Sequence, residues 1–313
     1  LKVKLKEFGI NSMYKMMKND RENNNISVAL CTYNGAKYIR KQLNSILNQT
    51  LVPNEIIIVD DSSKDETREI LKEISLENPS IKLFFNESNL GSNLSFRKAI
   101  SNANNELIAL CDQDDIWLSN KLEVQVSKIK ELNTSIEKPL VSFHDLKLMN
   151  DDEEIINESF WHLHKFNPRN FSYEDLFLFN IVTGCTCLIN QRMKKELLKS
   201  DMRNIIMHDY LIALIAYGFG EVIFHEEQLM LYRSHNTSVT TKVKISIEDR
   251  IKSFLKRVNT REYLLPNILQ IEVFINLYKD KLQENKYNQS RKFIQLKNKS
   301  VLDRMRYKWL KKL

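Results

Sequence analysis

The sequence predicts an α/β protein, a mostly parallel central sheet with helices on both faces, followed by a helical C-terminal extension. Three observations predict it. Short β-branched apolar runs alternate with stretches of helical apolar spacing between residues 26 and 111. Asp112, Asp114 and Asp115 crowd the positions just after the apolar run 106–110, and an open α/β sheet places its ligands at such strand ends. Past residue 246 strand-like runs cease, and the chain reads as helical and increasingly basic.

Residues 26–31, Ile-Ser-Val-Ala-Leu-Cys, form an apolar run closed by the turn Thr32-Tyr33-Asn34-Gly35, which reads as a buried strand. Ile39, Leu43, Ile46 and Leu47 then recur at helical spacing up to the breaker region 49–53. Residues 55–59 make a second strand, ended by Asp60-Asp61-Ser62-Ser63. Ser63 with Glu66 three residues on predicts a capping box, and Ile70, Leu71 and Ile74 give the following helix its apolar face. A third strand at 81–85, a third helix around 94–100 and a fourth strand at 107–111 complete the alternation, so Thr32, Asp61, Gly91 and Asp114 should share one sheet edge. From about 140 the pattern is mixed, with strands expected at 140–143, 185–189 and 221–231 and helices at 173–179, 191–198 and 208–217. The chain thus divides into a polar extension 1–25, a domain 26–245 with halves 26–125 and 126–245, and a basic helical region 246–313.

Composition bounds the function. With 42% hydrophobic and 28% charged residues among 313, the chain can bury a real core, which excludes disorder throughout. The net charge of +7 is concentrated at the end, where residues 281–313 hold eleven Lys or Arg against Glu284 and Asp303. Residues 1–25 lack the pattern of a secretory leader, so a cytoplasmic location is expected. The apolar stretches 176–189 and 211–220 fall short of the roughly 20 residues a membrane span needs and read as core. Cys31, Cys111, Cys185 and Cys187 show no paired zinc spacing and read as small buried hydrophobes.

Carboxylates as close as Asp112, Asp114 and Asp115 repel one another and call for a counter-charge, usually a hard divalent cation. Asp112 and Asp114 alternate, so an extended segment points both to one side. There they can clip Mg2+ or Mn2+ carrying a phosphorylated ligand.

Four motifs in order, Ser27-Val-Ala-Leu-Cys-Thr-Tyr-Asn34, Ser45-Ile-Leu-Asn-Gln-Thr50, Glu55-Ile-Ile-Ile-Val-Asp-Asp-Ser-Ser-Lys-Asp-Glu-Thr67 and Asp112-Gln-Asp-Asp115, resemble a family 2 glycosyltransferase. The likeness continues through Trp117-Leu-Ser-Asn-Lys-Leu122, Thr183-Gly-Cys185, His208-Asp209 and Tyr232-Arg-Ser-His235, covering roughly residues 26–240, and resembles most the branch of bacterial rhamnosyltransferases. The resemblance implies the GT-A nucleotide-sugar-binding fold, with the donor held by 26–125 and the acceptor by 126–245. It implies inverting transfer of one sugar from a nucleoside-diphosphate sugar, a UDP- or dTDP-sugar such as dTDP-rhamnose, to an acceptor hydroxyl of a cell-surface polysaccharide or glycolipid.

Residue by residue, Cys31, Thr32 and Tyr33 would lie against the base, and Asp61 would accept the N3–H of uracil or thymine, since an ionised carboxylate only accepts. Asp60 and Asp61 also suit a plain turn before a helix. Gly91 matches the Asn-x-Gly loop near the ribose, where a missing Cβ permits close approach. Asp114 and Asp112 are the implied ligands of Mn2+ or Mg2+, with His235 completing the shell and Arg233 pairing with phosphate. Asp115 then only holds the loop. Thr183 and Gly184 match an acceptor-side loop. Lys121 matches a family lysine, and equally suits a surface helix. Asp209 matches the catalytic base, its simpler role being to cap the helix at Tyr210; the acid often found before it is His208 here.

In the tail, Leu302, Met305, Trp309 and Leu313 share one helical face and Arg304, Arg306, Lys308, Lys311 and Lys312 cover much of the rest. That suits an anionic membrane surface, hence a peripheral position at the inner face of the plasma membrane and a lipid-linked or saccharide acceptor, or else packing on the domain. No Gln-x-x-Arg-Trp motif of processive synthases occurs. A scaffold that binds nucleotide-sugar without turnover is the competing reading, motivated by His208; a nucleic-acid partner is not expected.

Overall fold

The computed structural model describes residues 25–132, 137–234 and 261–299. The first apolar run is strand β1 (Ile26–Thr32), whose residues from Ile26 to Leu30 are all fully buried, as a continuous apolar run requires when helices cover both faces of a sheet. β2 (Glu55–Asp60) and β4 (Leu107–Cys111) flank it in parallel, and β3 (Ile81–Phe85) lies parallel outside β2. Between them run α1 (Ile39–Leu47), α2 (Thr67–Glu77) and α3 (Ser92–Asn102). Each buries the apolar face expected of it, Ile39, Leu43 and Ile46 on α1, Leu71 and Ile74 on α2, and Phe96, Ala99 and Ile100 on α3. The capping box is not formed. Ser63 donates instead to the Asp60 carboxylate, and Asp65 accepts from Thr67 N at 3.1 Å.

The second half widens the sheet. β8 (Leu188–Asn190) runs antiparallel between β4 and β6 (Leu140–Met149), β9 (Glu221–Arg233) lies parallel to β6, and β5 (Ile116–Trp117) pairs antiparallel with β9. The order is β3-β2-β1-β4-β8-β6-β9-β5, with β7 (Ile155–Asn157) added to β6. The strand expected at 185–189 shrinks to 188–190, because Gly184–Thr186 make a 3-10 turn toward the site. The helix expected at 173–179 is a single 3-10 turn, Asp175–Phe177. β5, β7 and the helix α5 (Phe160–His164) carried no sequence expectation, and of α4 (Lys121–Glu131) only the helical setting of Lys121 was anticipated.

Helices α6 (Gln191–Leu197) and α7 (His208–Phe219) form as expected. The described part of the C-terminal region, residues 261–299, is mostly helical, with α8 (Arg261–Tyr278) and α9 (Glu284–Gln295), and shares one core with α7. Phe274, Tyr278 and Phe293 are buried with Leu211 and Leu214, and Tyr278 Oη donates to Glu196 O at 2.8 Å. The boundary placed near 245, His235 and the amphipathic face of Leu302, Met305, Trp309 and Leu313 lie outside the described residues. Among the described residues no helix is long and apolar enough to cross a membrane.

Candidate active site

The carboxyl ends of β1, β2 and β4 open onto a cleft of about 440 Å³. Cys31, Thr32, Tyr33, Asp61, Gly91, Asp112 and Asp114 all line it, so seven residues picked from four separate motifs meet in one place. A larger groove of about 720 Å³ lies between α4 and β9 and contains none of them. Motif chemistry, rather than size, marks the site.

Asp61 sits at the end of β2, where the chain must turn, and its carboxylate clamps the following loop. Oδ1 accepts from Leu90 N and Asn86 Nδ2 and Oδ2 from Gly91 N, each at 2.8 Å. Burial opposes its charge, but the donors Leu90, Asn86, Gly91 and Ser95 outweigh burial and hold the carboxyl below its usual range. Asp60, by contrast, is fully buried against Arg68 and Ser63 and shapes the turn. Gly91 has a backbone reason of its own to be glycine. A Cβ there would meet nothing within 4 Å, but the residue has φ 83 and ψ 162, a region essentially reserved for glycine, and it caps α3.

One residue of this wall lacked a role in sequence reasoning. Gln113 Oε1 accepts from Thr32 Oγ1 at 2.6 Å and Tyr33 N at 2.8 Å, and its Nε2 donates to Tyr33 O at 3.1 Å. It locks the turn that would face the base. Gly35 makes room for it, since a Cβ there would fall 2.3 Å from Gln113 Oε1. A two-sided amide between the aspartates is the signal that was there to be read.

The acidic cluster is deeper than the sequence suggests. Asp112, Asp115 and Cys185 each offer a ligand atom within 4.8 Å of one another. Asp115 is buried; Oδ1 accepts from Arg233 N at 3.1 Å and Oδ2 has no hydrogen-bond partner. Burial first, then the Asp114 and Asp209 carboxylates, push Asp112 up to about 7, and burial with Asp114 and Asp112 pushes Asp115 well up. Beneath them Lys121 is fully buried, not a surface residue. Its Nζ donates to Cys185 O at 2.7 Å and lies 3.6 Å over the Trp117 ring, and burial pushes it down to about 8. Cys111, Cys185 and Cys187 are buried and Cys31 is half-buried; burial raises all four thiols.

Arg233 does not reach the cleft. Its guanidinium is buried behind the acidic loop, donating to Asp114 O at 2.9 Å, Asn150 O at 3.1 Å and Asp151 O at 3.2 Å, with Glu153 at 3.3 Å and the Tyr38 ring at 4.5 Å. These partners use the fork that was expected to pair with phosphate. Arg233 shapes the loop bearing Asp114.

Asp209 stands in the first turn of α7, whose N-cap is Met207, so it does not cap the helix. Its carboxylate accepts from Gly184 N at 3.1 Å and, at 3.4 Å, from Asn180 Nδ2, and burial pushes it up to about 6 against these donors. Gly184, of the expected acceptor-side pair Thr183 and Gly184, therefore meets Asp209 directly. His208 is buried and stacked on Phe96, centroids 4.0 Å apart, with neither ring nitrogen hydrogen-bonded, and burial lowers it to about 3. It is a neutral packing plate. A Cβ on Gly184 would lie 2.9 Å from His208 Nε2, which is why that turn carries glycine.

Comparisons with known proteins agree with this arrangement. Residues 27–198 match the family model described as Glycosyl transferase family 2. The putative teichuronic acid biosynthesis glycosyltransferase TuaG of Bacillus subtilis (strain 168) is 30% identical over 217 residues, 69% of this chain and 81% of that protein. The UDP-Glc:alpha-D-GlcNAc-diphosphoundecaprenol beta-1,3-glucosyltransferase WfgD of Escherichia coli is 31% identical over 167 residues, 53% of this chain and 60% of its own. Among solved structures, S. aureus TarS 1–349 in complex with UDP-GlcNAc gives a TM-score of 0.53 at 19% identity, covering 86% of this chain and 80% of that one. GalNAc-T7 with UDP, GalNAc and Mn2+ gives 0.54 at 14% identity, covering 84% and 56%. A family model that spans more than half of the chain, over a GT-A sheet whose strand ends gather the motif residues, means that this chain belongs to glycosyl transferase family 2 and is a glycosyltransferase.

Proposed function

We propose that this enzyme transfers a single sugar, with inversion and with a divalent cation, from a UDP- or dTDP-sugar to an acceptor hydroxyl in cell-surface polysaccharide or glycolipid synthesis. The observation that carries the proposal is the placement of Asp209, a carboxylate raised to about 6 and close enough to raise Asp112, beside a cleft lined by the donor motifs. The relatives' names favour this substrate class, since TuaG is assigned to teichuronic acid and WfgD to a diphosphoundecaprenol acceptor. The motif resemblance keeps dTDP-rhamnose among the donors.

In this mechanism Asp209, ionised above pH about 6, accepts the acceptor's hydroxyl proton while that oxygen bonds to the anomeric carbon. The bond from carbon to the diphosphate breaks with its electron pair leaving on the nucleotide. Asp61 and the Thr32-Tyr33 turn, held by Gln113, orient the base. Asp112 and Asp114 line the cleft and would hold the cation; carboxylate oxygens suit Mn2+ or Mg2+, and the unpartnered Asp115 Oδ2 and Cys185 stand behind them. Such a cation supplies charge neutralisation at the leaving diphosphate. The scaffold reading loses its motive, because His208 leaves Asp209 in place.

The test is incubation with UDP- and dTDP-sugars, Mn2+ and a lipid-linked saccharide, following nucleotide release and the product's anomeric configuration by NMR. An inverted product whose formation stops with chelator is expected. Retention of configuration, or turnover indifferent to chelator, would refute the mechanism.

A further inference from the structure

Ten large apolar residues are the most exposed among the described residues, and half of them form one connected surface. Leu90, exposed by 46%, sits between the cleft-lining Asn89 and Gly91, and Ile206 and Met207, each exposed by 39%, immediately precede the helix that carries Asp209. They are tied together through Asn93, whose Nδ2 donates to Ile205 O at 3.2 Å. The surface continues onto α8, because Ile206 N donates to the buried Gln270 at 2.7 Å and the next residue back, Leu269, points outward. Along α8, half-buried Leu265 and Val273 and exposed Leu269 and Leu277 recur every fourth residue, which puts them on one face of a helix about 27 Å long. Scattered exposed leucines are ordinary; a stripe that starts just before Asp209 is not.

We infer that this face docks the enzyme on an anionic lipid surface, with the cleft mouth turned toward the membrane. The inference rests on the proposed function and deepens it, since it says how the acceptor arrives. Two features select lipid as the occupant. The stripe runs from the residues just before Asp209 onto α8, so a bilayer covering it would present a lipid-linked hydroxyl beside Asp209. The helices that carry the stripe are net cationic: residues 264–299 hold seven Lys or Arg against three acids, Lys281 and Lys297 pair with Glu196 and Glu272, and exposed Lys279 lies just beyond Leu277. Apolar insertion flanked by cations is the chemistry of interfacial helices.

The experiment uses the whole chain. Wild type is expected to sediment with phosphatidylglycerol vesicles, more weakly with phosphatidylcholine vesicles, and less as salt rises. The pair Leu269→Glu with Leu277→Glu should lower vesicle affinity by at least about tenfold and lower transfer to a vesicle-embedded acceptor to match, while transfer to a short water-soluble acceptor and the melting temperature stay unchanged. The pair Leu269→Ser with Leu277→Ser gives a milder version of the same result if the charged pair disturbs folding. Wild-type vesicle binding in both pairs, or no vesicle binding by wild type, overturns the inference. So does a wild-type dimer in sedimentation velocity that either pair dissolves, which would make the face an interface between copies. Vesicle binding through this face without any sugar transfer would overturn the enzymatic reading and leave the surface standing.

Discussion

Replacing Asp209 by Asn tests the base and the environment that tunes it. With the carboxyl at about 6, roughly nine-tenths of the enzyme is ionised at pH 7 and about one-tenth at pH 5, so kcat/KM should fall about tenfold between those values. Asn keeps the shape and the hydrogen bond from Gly184 N but cannot take a proton. Its turnover should drop by roughly 10²–10⁴ with little change in donor binding.

Stability should move the other way. The folded carboxyl is raised above its unfolded value near 3.9, so the native state binds more protons between pH about 4 and 6. The stabilisation this gives is fully present below about 4 and is lost as pH rises through about 6. At pH 7 the cost of holding the charge is at most about 3 kcal/mol, less in proportion to the solvent that reaches this half-buried group. Asp209→Asn should therefore melt a few degrees higher than wild type at pH 7 and much closer to it at pH 4. The assay is a pH series of initial rates beside thermal melts of both proteins. An acid limb centred near 4, or a variant that is both active and no more stable at pH 7, would refute the reasoning.

Two further outcomes are expected. Gly91→Ala must adopt φ 83 with a Cβ, costing about 1–3 kcal/mol of local strain and loosening the loop that Asp61 clamps, so the donor KM should rise while kcat changes less; an unchanged KM in steady-state kinetics would count against it. His208→Glu places a carboxylate beside Asp209, so the acid limb of the pH–rate profile should move above about 6, and a limb that stays in place would show that the two side chains do not share a field.

Much of the donor half was legible because its determinants are local. The run 26–31 is apolar without interruption, since both faces of β1 are covered, and the turn after it must carry the polar residues that a strand end exposes. Thr32, Asp61, Gly91 and Asp114 could be placed on one edge from alternation alone. The second half was less legible because its elements are decided by partners far along the chain. β5 is two residues long and exists because Ile116 and Trp117 pair with Leu231 and Met230. The apolar positions at 173–179 look helical, yet Tyr173 and Phe177 serve to meet Ser290 and Phe293 of α9, contacts across more than a hundred residues. Arg233 failed for the same reason: a motif says which residue is present, and only the fold shows that Asp114 O, Asn150 O and Asp151 O already occupy its guanidinium.

The parts that sequence reasoning treated as two subsites are joined mechanically. Asp61 holds Leu90 N and Gly91 N; two residues on, Asn93 Oδ1 accepts from His208 N at 2.9 Å, and Phe96 of the same helix stacks on the His208 ring. His208 in turn abuts Gly184, whose N–H holds Asp209. The loop 90–93 and Asp209, the proposed base, thus belong to one chain of direct contacts, through which a displacement of residues 90–93 would be passed to the first turn of α7. A buried neutral imidazole serves this linkage without adding charge beside Asp209. A carboxylate in its place would keep the packing only by raising Asp209 further, so the departure at residue 208 is consistent with a base that remains ionised near neutral pH.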